Sequence, residues 1–148
     1  MQPLIRDASV SEHPSCTIRR TVSPRHRLIK SDPNRKRSAG IVVLRRLDVA
    51  AGTTDPQVRR RALTFVFVGG GYAGIEALAE LEDMARDATR YYRTITPEDL
   101  RFVLVEATDR ILPEVGADMG RYTVDELRRR RIEVKLQTRL ESCVDGEI

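Results

Sequence analysis

The chain is short of the residues that most enzymes use for acid–base or nucleophilic chemistry. It has 2 His, 2 Cys and no Trp, and aromatic residues make up 5% of its 148 positions. His13 and His26 both lie in a Pro-, Ser- and Arg-rich stretch without apolar periodicity. A Ser-His-Asp or Cys-His site is therefore not expected. Cys16 and Cys143 stand far apart and match no metal or redox spacing, so they read as reduced thiols and no metal site is indicated. No run approaches the roughly 20 apolar residues of a membrane helix. The opening "MQPLIRDASVSEH" has no continuous apolar segment, so neither a transmembrane span nor a signal peptide is read, and a cytoplasmic location is expected.

Charge divides what is present. Residues 1–46 carry 11 Lys and Arg against 3 Asp and Glu, while the remainder carry 15 against 19. The first part, net +8 by this count, reads as a disordered basic segment, because it cannot bury enough apolar surface to offset its chain entropy. Its arginines are not interleaved with aromatic residues as a nucleic-acid stacking platform requires, so no nucleic acid partner is expected. Residues 47–62 read as a helical linker. Apolar positions 43, 44, 47 and 50 have helical spacing, Gly52 is a stop, and Pro56 opens a second short turn.

From residue 63 the pattern is that of an α/β domain. "ALTFVFV", 62–68, suits a central parallel strand buried on both faces. A helix follows from Ala73 to about Tyr92, with Gly74, Leu78, Leu81, Ala85 and Ala88 on its inner stripe and Glu80, Glu82, Asp83, Arg86 and Asp87 largely elsewhere. Thr96 and Pro97 offer the start of a further turn ahead of the strand "LRFVLVEA". The helix "DMGRYTVDELRRRR" is expected to turn Met119, Thr123 and Leu127 to the sheet, its terminal arginines meeting the negative helix end. "IEVKL" is a third strand, and "TRLESCVDGEI" begins an antiparallel hairpin about Asp145-Gly146. Such alternation predicts an incomplete Rossmann-like fold for residues 63–148, with a three-stranded parallel sheet and right-handed crossovers.

The chemistry concentrates in Gly69-Gly70-Gly71-Tyr72-Ala73-Gly74. Gly69 permits a tight turn out of the strand, Gly71 a close approach of backbone to a diphosphate, and Gly74 close packing of helix on strand. The helix start then offers free N–H groups and partial positive charge to the phosphates. Glu106, ending the second strand, can accept hydrogen bonds from the adenosine ribose hydroxyls and would repel a 2′-phosphate, which favours NAD over NADP. It lies 32 residues after Gly74 rather than about 20, the excess falling in the helix and its exit. Arg110 could instead meet a 2′-phosphate.

The stretches "LTFVFVGGGYAGIEALAELEDMA" and "VLVEATDRILPEVGADMGRYTVDELRRRRIEVKLQTRLESC" resemble the NAD-binding domain of the FAD-dependent pyridine nucleotide-disulphide oxidoreductases, and within them the type II NADH dehydrogenases. Gly74-Ile75-Glu76 and "RILP" carry much of the likeness, which runs from about Leu47 onward. The resemblance implies a flavoprotein oxidoreductase that takes NADH and passes electrons to quinone or another acceptor, peripheral to the membrane in full-length relatives. It places Glu76 near the nicotinamide and flavin edge, and Tyr72 over the nicotinamide pocket. Read from position alone, Glu76 is equally a solvated first-turn acid and Tyr72 a loop aromatic, so no catalytic residue is assigned. Family members carry a second, flavin-binding glycine motif, whereas the only GxGxxG here is at 69–74, and the redox cysteine pair is missing. The expectation is a truncated, inactive NADH-binding fragment prone to self-association through an open sheet edge. The alternatives are a non-enzymatic NAD-binding module and a subunit completed by another chain.

Overall fold

A computed structural model describes residues 16–19 and 33–143. Strand β1 is Cys16–Arg19, and helix α1 runs from Pro33 to Gly52. Helix α2, Pro56–Ala62, leads into strand β2, Thr64–Val68, which is followed by helix α3, Tyr72–Thr89. A 3-10 turn at Pro97–Asp99 precedes strand β3, Arg101–Val105. Helix α4, Ala117–Arg129, strand β4, Ile132–Lys135, and strand β5, Arg139–Cys143, complete the order.

The sheet is three-stranded and parallel, in the order β2-β3-β4. Phe65 is registered with Phe102, and Phe102 with Ile132. The middle strand is therefore β3, whose Phe102 to Val105 are all buried. β2, expected at the centre, is an edge. Its Val66 and Phe67 are half-buried and Val68 is 57% exposed. Its apolar residues still fold inward on one face, where the Phe65 ring stacks on Phe102 with centroids 5.1 Å apart. Leu47, Leu78, Leu104, Ile111 and Ile132 fill the core from α1, α3, β3, the loop after β3 and β4. Each such side chain contributes about 2 kcal/mol by leaving water.

Helix α1 starts within the segment expected to be disordered. It crosses the expected boundary at residue 46 because Val43, Leu47 and Ala50 make one apolar stripe that is buried. Arg59 of α2 donates to Ala50 O at 3.0 Å, and Tyr92 donates to Asp48 Oδ1 at 2.7 Å, so α1 is also tied by polar contacts. Asp55 caps α2 by accepting from the N–H groups of Gln57 and Val58. Pro56 stands at the first position, as the sequence indicates.

On α3, Leu78, Leu81, Ala85 and Ala88 are buried as expected, but Glu82 is fully buried too. It lies one turn after Leu78 and pairs with Arg86 and with Arg130, the residue that caps the end of α4. Arg86 also donates to Pro97 O and Arg130 O, which closes this end of the layer. On α4 the inner residues are Gly120, Val124 and Leu127, whereas Met119 is exposed. The helix is rotated from the expected phase because it approaches the loop after β3 at Gly120, where an added Cβ would lie 3.0 Å from Ile111 O. β5 pairs antiparallel with β1, with Cys16 opposite Cys143. The turn expected at Asp145-Gly146 lies outside the described residues.

Candidate dinucleotide site

The glycine turn leaves the C-terminal end of β2 through Gly69, whose φ of 107° an L side chain rarely adopts. Gly69 N–H donates to Val105 O at 2.9 Å, which extends the β2–β3 pairing one step beyond the strand. Gly74 sits in the first turn of α3, where an added Cβ would meet Gly69 O at 2.2 Å. The helix can therefore lie against the strand end only without a side chain there. Gly71 is the N-cap of α3 and provides no side-chain cap. Gly74 N–H and Ile75 N–H donate to Gly71 O, which leaves the N–H groups of Tyr72 and Ala73 to meet an anion, aided by the helix dipole.

Gly70 joins the turn to the neighbouring strand end. Its N–H donates to Glu106 Oε2 at 2.6 Å, and its carbonyl accepts from Leu112 N–H at 2.7 Å. A Cβ on Gly70 would lie 2.6 Å from Ile111 Cγ2. Glu106 is buried, and its other oxygen, Oε1, accepts from Thr108 N–H and Thr108 Oγ1–H, each at 2.8 Å. The carboxylate is held by donors on both oxygens before any ligand arrives. Leu112 has a φ of 50°, so the "RILP" loop takes a left-handed step to reach Gly70.

The residues singled out in the sequence thus separate into groups. Gly69, Gly70, Gly71, Gly74 and Glu106 converge at the ends of β2 and β3. Ala73 is half-buried in the first turn of α3, Tyr72 is 66% exposed at its start, and Glu76 is half-buried one turn on. The Arg110 guanidinium donates to Pro113 O at 3.2 Å, within its own loop. Thr108 and Leu112 were not singled out. A hydroxyl two residues after an acid is a common local partner and could have signalled Thr108. Nothing in the spacing indicates that Leu112 reaches Gly70. Among the described residues, no group of three His, Cys, Asp or Glu could hold a metal ion, and no helix is long and apolar enough to cross a membrane.

This union of a glycine turn, an uncapped helix start and a strand-end carboxylate is what a dinucleotide-binding domain requires. Residues 31–147 match the pyridine nucleotide-disulphide oxidoreductase family. The chain belongs to this family. It is 35% identical over 95 residues to the type II NADH:quinone oxidoreductase NdhA of Mycobacterium tuberculosis, covering 64% of this chain and 20% of that protein. It is also 35% identical over 94 residues to an external alternative NADH-ubiquinone oxidoreductase of Yarrowia lipolytica mitochondria, covering 64% and 16%. The solved structure of NDH2 from Plasmodium falciparum in complex with NADH superposes with a TM-score of 0.53 at 23% identity, covering 61% of this chain and 19% of that one. That likeness bears out the Rossmann-like fold. The chain spans about a fifth or less of the length of these relatives.

Proposed function

We propose that this chain is the NADH-binding portion of an FAD-dependent NADH dehydrogenase of the NADH:quinone type, and that by itself it holds NADH without turning it over. The observation that carries the reading is the hydrogen bond from Gly70 N–H to Glu106, which sets the strand-end acid directly beside the glycine turn. Gly70 and Gly74 pack too closely on Ile111 and on Gly69 to carry a Cβ, which shapes the turn, and in this reading Gly71 lets the diphosphate approach the backbone. In this reading the N–H groups that open α3 hold the diphosphate and Glu106 accepts from the ribose hydroxyls. The negative charge of Glu106 opposes a 2′-phosphate, so NADH is preferred to NADPH. Tyr72 and Glu76 lie toward the nicotinamide. FAD supplies the hydride acceptor when bound, and quinone or another acceptor takes the electrons onward. In this reading the glycine cradle serves NADH and the flavin is held elsewhere. The reading places the chain in the cytoplasm and gives it no nucleic-acid partner.

Fluorescence titration with NADH, alongside an absorption spectrum for flavin, tests this. Saturable binding without flavin absorbance or NADH oxidation is expected. Glu106→Gln should weaken binding about tenfold, the loss of a charge-assisted hydrogen bond. Absence of binding at millimolar NADH refutes the cradle, and flavin absorbance with turnover refutes the passive role. A subunit completed by another chain is the second reading. It is favoured by the edge of β2, unpaired among the described residues, beside which a groove of about 350 Å³ is lined by Val42, Val43, Phe65, Val66, Phe67 and Leu81.

A further inference from the structure

Glu114 faces the glycine turn from the loop after β3. A Cβ added at Gly71 would lie 3.3 Å from Glu114 Oε1. Gly71 is where α3 begins without a side-chain cap, so this carboxylate stands at the positive end of the helix. Its position follows from the backbone. Leu112 N–H is fastened to Gly70 O at 2.7 Å, and Val115 N–H closes a turn onto Leu112 O at 3.1 Å, with Glu114 inside that turn. The side chain is exposed, and no described residue engages its carboxylate in a hydrogen bond or ion pair. Of the other charged groups of the loop, Glu106 is held by Gly70 and Thr108, Arg110 donates to Pro113 O, and Asp109 is exposed. Glu114 is thus an unpaired acid placed beside the one helix start where the proposed ligand would put its diphosphate.

We propose that Glu114 is an internal anion that stands at the diphosphate seat and sets how tightly, and at what ionic strength, the chain holds a dinucleotide. The inference rests on the NADH reading above. An arriving diphosphate either displaces the carboxylate from the helix end or shares that end with a like charge. Both cost affinity, so a neutral residue of the same shape binds the dinucleotide more tightly. The carboxylate also stabilises the empty turn, since it supplies the negative charge that an uncapped helix start favours. The outcome is a cradle that is pre-formed without ligand and releases ligand readily.

The test is NADH titration of the full chain as wild type, Glu114→Gln and Glu98→Gln, the last an exposed acid on the 3-10 turn at Pro97–Asp99. Glu114→Gln should bind roughly three- to tenfold more tightly at about 20 mM salt, and this advantage should shrink to less than about twofold near 0.5 M as the charges are screened. Glu98→Gln should bind as wild type does. Equal or weaker binding by Glu114→Gln overturns the proposal. Failure of all three proteins to bind NADH refutes the dinucleotide reading instead. The seating of Glu114 is then judged by amide resonances: Glu114→Gln should shift those of Gly71, Tyr72 and Ala73, and unchanged resonances overturn the contact itself.

Discussion

Replacing Gly74 with alanine tests the geometry of the glycine turn most directly. The added methyl would lie 2.2 Å from Gly69 O, and 3.3 Å from Gly69 C. Ordinary contact of carbon with oxygen needs roughly 1 Å more, and the obstacle is backbone rather than the end of a flexible side chain. The start of α3 must therefore move off the end of β2. Gly74 N–H and Ile75 N–H both donate to Gly71 O at 3.0 Å, so the cap moves with it. Overpacking of this kind costs about 1–3 kcal/mol. Gly52 is the matched control. It closes α1 with nothing within 4 Å of an added Cβ, and alanine there should be neutral or stabilise by up to about 1 kcal/mol. In urea melts, with a slope of about 1–2 kcal/mol per molar for a chain of this size, Gly74→Ala should lower the midpoint by roughly 1 M, while Gly52→Ala leaves it or raises it. NADH affinity should fall at least about tenfold in Gly74→Ala, because the amides proposed to hold the diphosphate are misplaced. Equal midpoints and equal affinities for the two variants would refute the close approach of helix and strand on which the site depends.

Other consequences are open to measurement. Glu82→Gln leaves Arg86 and Arg130 without their buried partner and should destabilise by about 3 kcal/mol in the same melts, against no change for Glu98→Gln; equal midpoints would mean the buried pair is dispensable. The Arg101 guanidinium beside Glu133, joined at 2.7 Å, holds that carboxyl below its ordinary 4.5. The stability it adds is present above the ordinary value and lost as pH falls through the lowered one. The pair is substantially exposed, so the effect is under about 1 kcal/mol, and Glu133→Gln should flatten that part of the acid limb of midpoint against pH. If the free edge of β2 drives self-association, Val68→Lys should shift sedimentation of concentrated protein toward monomer without lowering the melt midpoint.

Much of the site is local and was legible. The order of strand, glycine turn and helix is written in adjacent residues, since each glycine answers a constraint a few positions away. The apolar stripe Leu78, Leu81, Ala85 and Ala88 repeats with the helix period, and Pro56 marks the start of α2 through its fixed φ. Glu106 could be selected because the end of a strand is visible in sequence. Its grip on Gly70, 36 residues earlier, could not.

Periodicity and spacing alone indicated that the chain alternates strand and helix, with a glycine turn after the first apolar strand of the parallel sheet. Tertiary structure decided which strand is central, because order in a sheet depends on pairing partners rather than on apolar content, and β2 and β3 are similarly apolar. It decided that Glu82 is interior, because Arg130 arrives from 48 residues away to neutralise it. It turned α4 onto Gly120 rather than Met119, through the shape of the loop it meets. Short-range signals register the cost of a residue's own backbone, whereas burial and charge pairing depend on chain segments that only folding brings together.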